Sequence, residues 1–104
     1  MILANTDTVP GREIAAVHGL VMGNTIRSKN FVKDIGAGLK NLFGGELRSY
    51  TAMLTEAREE ALDRMQQAAS GFGADAVVNV RFTTSQVTGG AAELLVYGTA
   101  VTLA

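Results

Sequence analysis

From Glu13 to Thr25 the chain is rich in Val, Ile and Ala, which is the composition and length of a long β-strand. Alternation places Ile14, Ala16, His18, Leu20 and Met22 on one face of that strand. Ala15, Val17, Gly19, Val21 and Gly23 share the other, and neither face is polar. Two further apolar runs read as strands, Ala74 to Thr84 and Ala92 to Ala104. A Thr-Gly-Gly at 88–90 lies between them and predicts a hairpin. In the last strand Leu95, Tyr97, Val101 and Leu103 point one way, and Leu94, Val96 and Ala100 the other. Ile2 to Asn5 reads as a short strand, followed by turn chemistry at Pro10-Gly11.

Two segments carry helical spacing. Phe31, Ile35, Leu39 and Leu42 or Phe43 recur at the helical period, with Gly36 and Gly38 inside the run. The stronger helix is predicted from Ser49 to Gly71. Its apolar stripe is Tyr50, Met53, Leu54, Ala57, Ala61, Met65, Ala68 and Phe72, opposite Glu56, Glu59, Glu60, Asp63, Gln66 and Gln67. Arg58 and Arg64 fall within or at the margin of the stripe, and Gly71 and Gly73 end the helix.

These elements predict an α+β fold: a small two-layer antiparallel β-sheet with helices on one face and the last strand central. The 104 residues suit a single domain, 1–104. An antiparallel sheet with helices on one face ordinarily has a wet second face. Here the strands look apolar on both sides, and the two helices can cover one side from within the chain. The expectation is that another copy covers the second face. Composition points the same way: 47% of residues are hydrophobic and 18% charged, a small charged fraction for a monomer with so much surface.

Charge and cysteine content exclude several classes. The net charge is −1 with no basic stripe, so no nucleic-acid partner is expected. No stretch approaches the roughly 20 apolar residues of a membrane span, and the N-terminal residues lack the pattern of a secretory signal. The expected location is cytoplasmic. With no cysteine there are neither disulfides nor thiolate metal sites.

The candidate chemistry is sparse. Gly36-Ala37-Gly38 lacks the spacing and context of a phosphate loop, and helix packing explains it better. Glu56, Glu59, Glu60 and Asp63 read as a solvated helix face rather than a hard-cation site. His18 is the sole histidine base, and no Gly-x-Ser-x-Gly occurs, so no catalytic residues are assigned and no enzyme is expected. His18 as a ligand for a transition metal needs companions that one chain does not offer. Met22, four residues along the strand, would be about 13 Å away. Symmetry-related imidazoles could supply the rest; otherwise His18 is a structural imidazole in an interior or interface. Arg58 and Arg81 each need an acceptor if their heads are held out of water. Asp75, Glu93 and backbone carbonyls are the candidates, in a structural ion pair at a subunit boundary or in an anion clamp.

Four segments carry a resemblance: "GLVMGNTI" (19–26), "FGGELRSYTAMLTEAREEALDRM" (43–65), "GADAVVNVRF" (73–82) and "GTAV" (98–101). Together, in this order and spacing, they resemble the YbjQ-like family, also called putative heavy-metal-binding proteins. The resemblance implies a dodecin-like subunit in a homo-oligomeric ring, commonly a pentamer, with short strands that aid assembly. It suggests a non-enzymatic protein of unassigned role, with a transition metal ion at His18 as one possibility. The alternatives are a small-molecule-binding or sequestering ring, using clefts near Arg58, Arg81 and Tyr97, or a purely structural assembly module.

Overall fold

The structure is a computed structural model that describes residues 1–28, 45–88 and 91–104. The elements run β1 (Ile2–Leu3), β2 (Ile14–Ser28), α1 (Gly45–Ser70), β3 (Ala76–Thr88) and β4 (Ala91–Leu103). The sheet order is β1-β3-β4-β2, so the last strand lies between the two other long ones, as expected. The β2–β4 and β3–β4 pairs are antiparallel, but β1 pairs with β3 in parallel. The fold is therefore α+β with a mixed sheet, not the fully antiparallel one predicted. A two-residue strand carries no signal of its partner or direction. The backbone N–H groups of Ile2 and Ala4 choose both by bonding to Asp75 O and Val77 O. The helix predicted over 31–43 lies outside the described residues, as do the two turn residues after Thr88.

One layer of α1 packs over β2 and β4. The buried stripe is Met53, Ala57, Ala61, Met65 and Ala69, a run of strict i+4 steps. Such a ridge is inclined to the helix axis, and so the contact line slants across the twisted sheet. This shifts the stripe off its predicted end: Ala69 is buried, while Ala68 and Phe72 are exposed. Three of the five stripe residues are alanines, which brings the helix backbone close to β2. A Cβ on Gly23 would run into the Ala61 carbonyl oxygen and lie 2.5 Å from the Met65 nitrogen. Beside it, buried Thr25 donates its hydroxyl to Ala57 O at 3.2 Å. The helix ends where Gly73 takes a left-handed φ of 71° and its N–H returns to Ser70 O.

The main core lies between α1 and the sheet: Val21, Ala61, Met65, Ala69, Val77, Val96 and Ala100. A second, smaller core sits on the opposite face at one end of the sheet. There Ala76, Val78, Val101 and Leu103 pack with Val9 of the N-terminal segment and with Ile14 at the start of β2. So part of the second face is covered from within the chain, which the strand pattern did not anticipate. The rest is less apolar than expected, because register places Thr83 and Ser85 of β3 and Asn24 of β2 there beside Leu95 and Glu93.

Two bulges set these faces. In β2, Val17 pairs with Val101 and Gly19 with Ala100, leaving His18 as the extra residue. Gly19 holds φ 118°, and a Cβ there would meet nothing within 4 Å of this chain, so within the chain this glycine serves backbone conformation. In β3, Val78 pairs with Thr99 and Arg81 with Tyr97, so two residues, Asn79 and Val80, stand opposite one. Asn79 adopts φ 54° there, a conformation asparagine tolerates better than most residues.

Candidate functional site

The β2 bulge separates His18 from Met22. His18 turns to the helix side, where its Nε2 lies 2.7 Å from the Thr102 hydroxyl. Its ring stacks on Phe72 with centroids 6.0 Å apart and planes 10° from parallel. Met22 pairs with Tyr97 on the open face. The shared face expected for the two residues is thus corrected: one extra residue inverts the alternation. Phe72 and Thr102 went unnoticed in the sequence as partners of His18, since they are 54 and 84 positions away and carry no local signal.

A hydroxyl at hydrogen-bond distance from an imidazole is the geometry of a nucleophile and its base. Here the remaining ring nitrogen makes no hydrogen bond to a carboxylate among the described residues, so nothing fixes the tautomer a base would need. A heavy metal fits the described residues no better. Among them, no three His, Cys, Asp or Glu side chains converge, and the sole imidazole is engaged with Thr102. Metal binding at His18 would need ligands from other copies.

The two arginines and the tyrosine singled out by the sequence fall in different places. Arg58 is exposed on the outer side of α1, and its reach is to Thr55 Oγ1 at 3.4 Å, a long contact. Leu54 and Leu62, one turn to either side of it, are half-buried, so Arg58 stands at the margin of the stripe with its head in solvent. Arg81 is exposed on the open face, and its NH1 donates to Asn5 O at 2.7 Å and to Val80 O at 3.0 Å. Its acceptors are backbone carbonyls, one of the options the sequence left open. Tyr97, half-buried, is the direct cross-strand partner of Arg81. The fold thus brings Arg81 and Tyr97 together and leaves Arg58 apart.

A charged cluster missed in the sequence ties the end of β2 to α1. Glu60 accepts from Arg27 at 2.8 Å and also pairs with Arg64, whose NH1 reaches Asn24 O. The Arg27 hydrogen bond, helped by the charge of Arg64, holds the Glu60 carboxyl below its ordinary value of 4.5. A lowered folded-state value means that the carboxylate stabilises the fold above its unfolded value. That contribution disappears as pH falls through the folded one. Urea midpoints of wild type and Glu60→Gln should therefore differ at neutral pH and converge on acidification. Equal midpoints throughout would show that the cluster contributes nothing.

The sequence model of the family described as "Putative heavy-metal-binding" matches residues 1–104. The chain belongs to this YbjQ family. A UPF0145 protein of Hahella chejuensis is 59% identical over 103 residues, covering 99% of both chains. One from Archaeoglobus fulgidus is 62% identical, covering 99% of this chain and 95% of its own. A crystal structure of a protein of unknown function from Pediococcus pentosaceus matches with a TM-score of 0.61 at 14% identity. It covers 100% of this chain and 98% of its own, and at that identity it shares the fold alone. The names of these relatives assign no reaction. No helix among the described residues is long and apolar enough to cross a membrane.

Proposed function

We propose that this protein is a non-enzymatic homo-oligomer, a dodecin-like subunit in a ring whose role is binding rather than reaction. The observation that carries the reading is a row of apolar side chains along β2: Val17 is 66% exposed, Leu20 60% and Ile26 55%. Among the described residues β2 is an edge strand, so this row borders backbone N–H and C=O groups that no described strand pairs. A long, apolar, unblocked edge is a surface that isolated proteins avoid and assemblies use. At about 3.3 Å per residue the strand offers a border of some 45–50 Å. The outer edge of β3 is occupied by N-terminal residues only as far as Val80, whose N–H bonds to Ala4 O. Among the described residues the sheet therefore has two edges to offer, as a closed ring of copies requires. Family resemblance favours a pentamer.

Sedimentation of wild type at micromolar concentration should give one oligomeric species. Val17→Asp combined with Leu20→Asp should give a monomer with unchanged far-UV circular dichroism, since both side chains face away from α1. A folded wild-type monomer would refute the proposal. Metal at the ring is tested separately by calorimetry with zinc, copper and nickel. Sub-micromolar binding that vanishes in His18→Ala would place imidazoles from several copies on one ion.

A second reading, a small-molecule-binding ring, is favoured by the juxtaposition of Arg81, Tyr97 and Met22 in one row across the open face.

A further inference from the structure

The β3 bulge does more than lengthen the strand. With unbroken alternation from Val78, position 81 would fall on the helix side of the sheet. The extra residue turns Arg81 onto the open face, directly across from Tyr97, while Val80 still packs against the main core. Bulges recur where a strand must re-aim a side chain. This one is held by a residue in the left-handed region, Asn79, whose N–H bonds to Thr6 O at 2.8 Å.

The row sits beside a step. The N-terminal segment covers Val78 and Val101 on this face, and the next row outward is Arg81, Tyr97 and Met22. Arg81 leans on the step, with NH1 bonded to Asn5 O at 2.7 Å and no carboxylate paired with it among the described residues. Its NH2 and Nε carry no hydrogen bond among the described residues. An arginine pinned through one nitrogen is pre-organised to present the rest of its fork to an anion. Beside it, a half-buried phenol ring and an exposed thioether form a polarizable floor that suits a flat apolar body.

We propose that the Arg81–Tyr97–Met22 row binds a small aromatic anion, with the anionic group on the Arg81 fork and the ring over Tyr97 and Met22. The proposal rests on the small-molecule reading above and names the class of ligand. It does not require that the ring have a particular size.

The test uses the intact protein and two fluorescent probes of similar shape, naphthalenesulfonate and the neutral naphthylmethanol. Wild type should bind the sulfonate more tightly than the alcohol. Arg81→Gln, which removes the charge and the guanidinium fork, should weaken sulfonate binding roughly 10- to 100-fold, the loss of a hydrogen bond to a charged group. It should leave the alcohol unaffected, whereas Tyr97→Leu should weaken both probes. Equal binding of the two probes by wild type, or sulfonate binding unchanged by Arg81→Gln, overturns the proposal. The first comparison needs no variant and stands even if Arg81→Gln fails to fold. Sedimentation of the same samples separates the two readings. A monomer that binds sulfonate through Arg81 keeps this site and ends the ring. An oligomer that loses its assembly in Arg81→Gln without having bound sulfonate assigns Arg81 to a subunit contact and ends this site.

Discussion

Gly23→Ala should destabilise the protein by about 3 kcal/mol or more, at or above the upper end of the usual cost of overpacking. The new methyl group would meet the Ala61 carbonyl oxygen and the Met65 nitrogen, both backbone atoms of α1. A flexible side chain could rotate away, but a helix backbone moves only as a unit. Relief would require lifting α1 from β2, thereby opening the contacts of Ala57, Ala61 and Met65, all fully buried. Small domains have only about 5–15 kcal/mol of total stability, so the variant should unfold at markedly lower urea. Gly19→Ala is a useful contrast. It meets nothing within 4 Å, and its cost arises from the backbone at φ 118°. A Gly23→Ala midpoint equal to that of wild type would mean that the helix does not rest on this strand.

Met65→Ala should cost roughly 2–5 kcal/mol, the range for truncating a large buried side chain. Met65 is fully buried in the core formed with Val21, Val77, Val96 and Ala100. Its stripe neighbours Ala61 and Ala69 are already minimal, so they cannot expand into the space left behind. Met65→Leu, nearly volume-conserving, should cost under about 1.5 kcal/mol. The comparison is made by urea denaturation, and a Met65→Ala cost near that of Met65→Leu would place the side chain outside the core. Neither substitution touches the Arg81 row. Any change in assembly should therefore track loss of fold rather than loss of the open face.

Much of the architecture was legible in the chain because its signals are local. The helix followed from apolar positions at the helical period and glycines beyond its end. The three long strands followed from β-branched runs. Family membership, too, was carried by short segments in order. What local pattern does not hold is the face to which a side chain turns once a strand is bulged. Alternation put His18 and Met22 together. The bulge at His18 sends one to Thr102 and Phe72 and the other to Tyr97. The asparagine within the valine run at 77–80 was a readable hint of a second bulge, though its effect on Arg81 depends on which residue of β4 lies opposite.

By itself, then, the sequence determined the helix, the long strands, the α+β class and the absence of thiol chemistry, since each depends on neighbours within a few positions. Tertiary structure alone decided the parallel pairing of β1 and the second core under the N-terminal segment. It also decided the slant of the α1 stripe that buries Ala69 in place of Ala68 and Phe72, and the meeting of Arg81 with Tyr97. Each of those depends on register between segments distant in the chain, and a shift of one residue in pairing reverses every face beyond it.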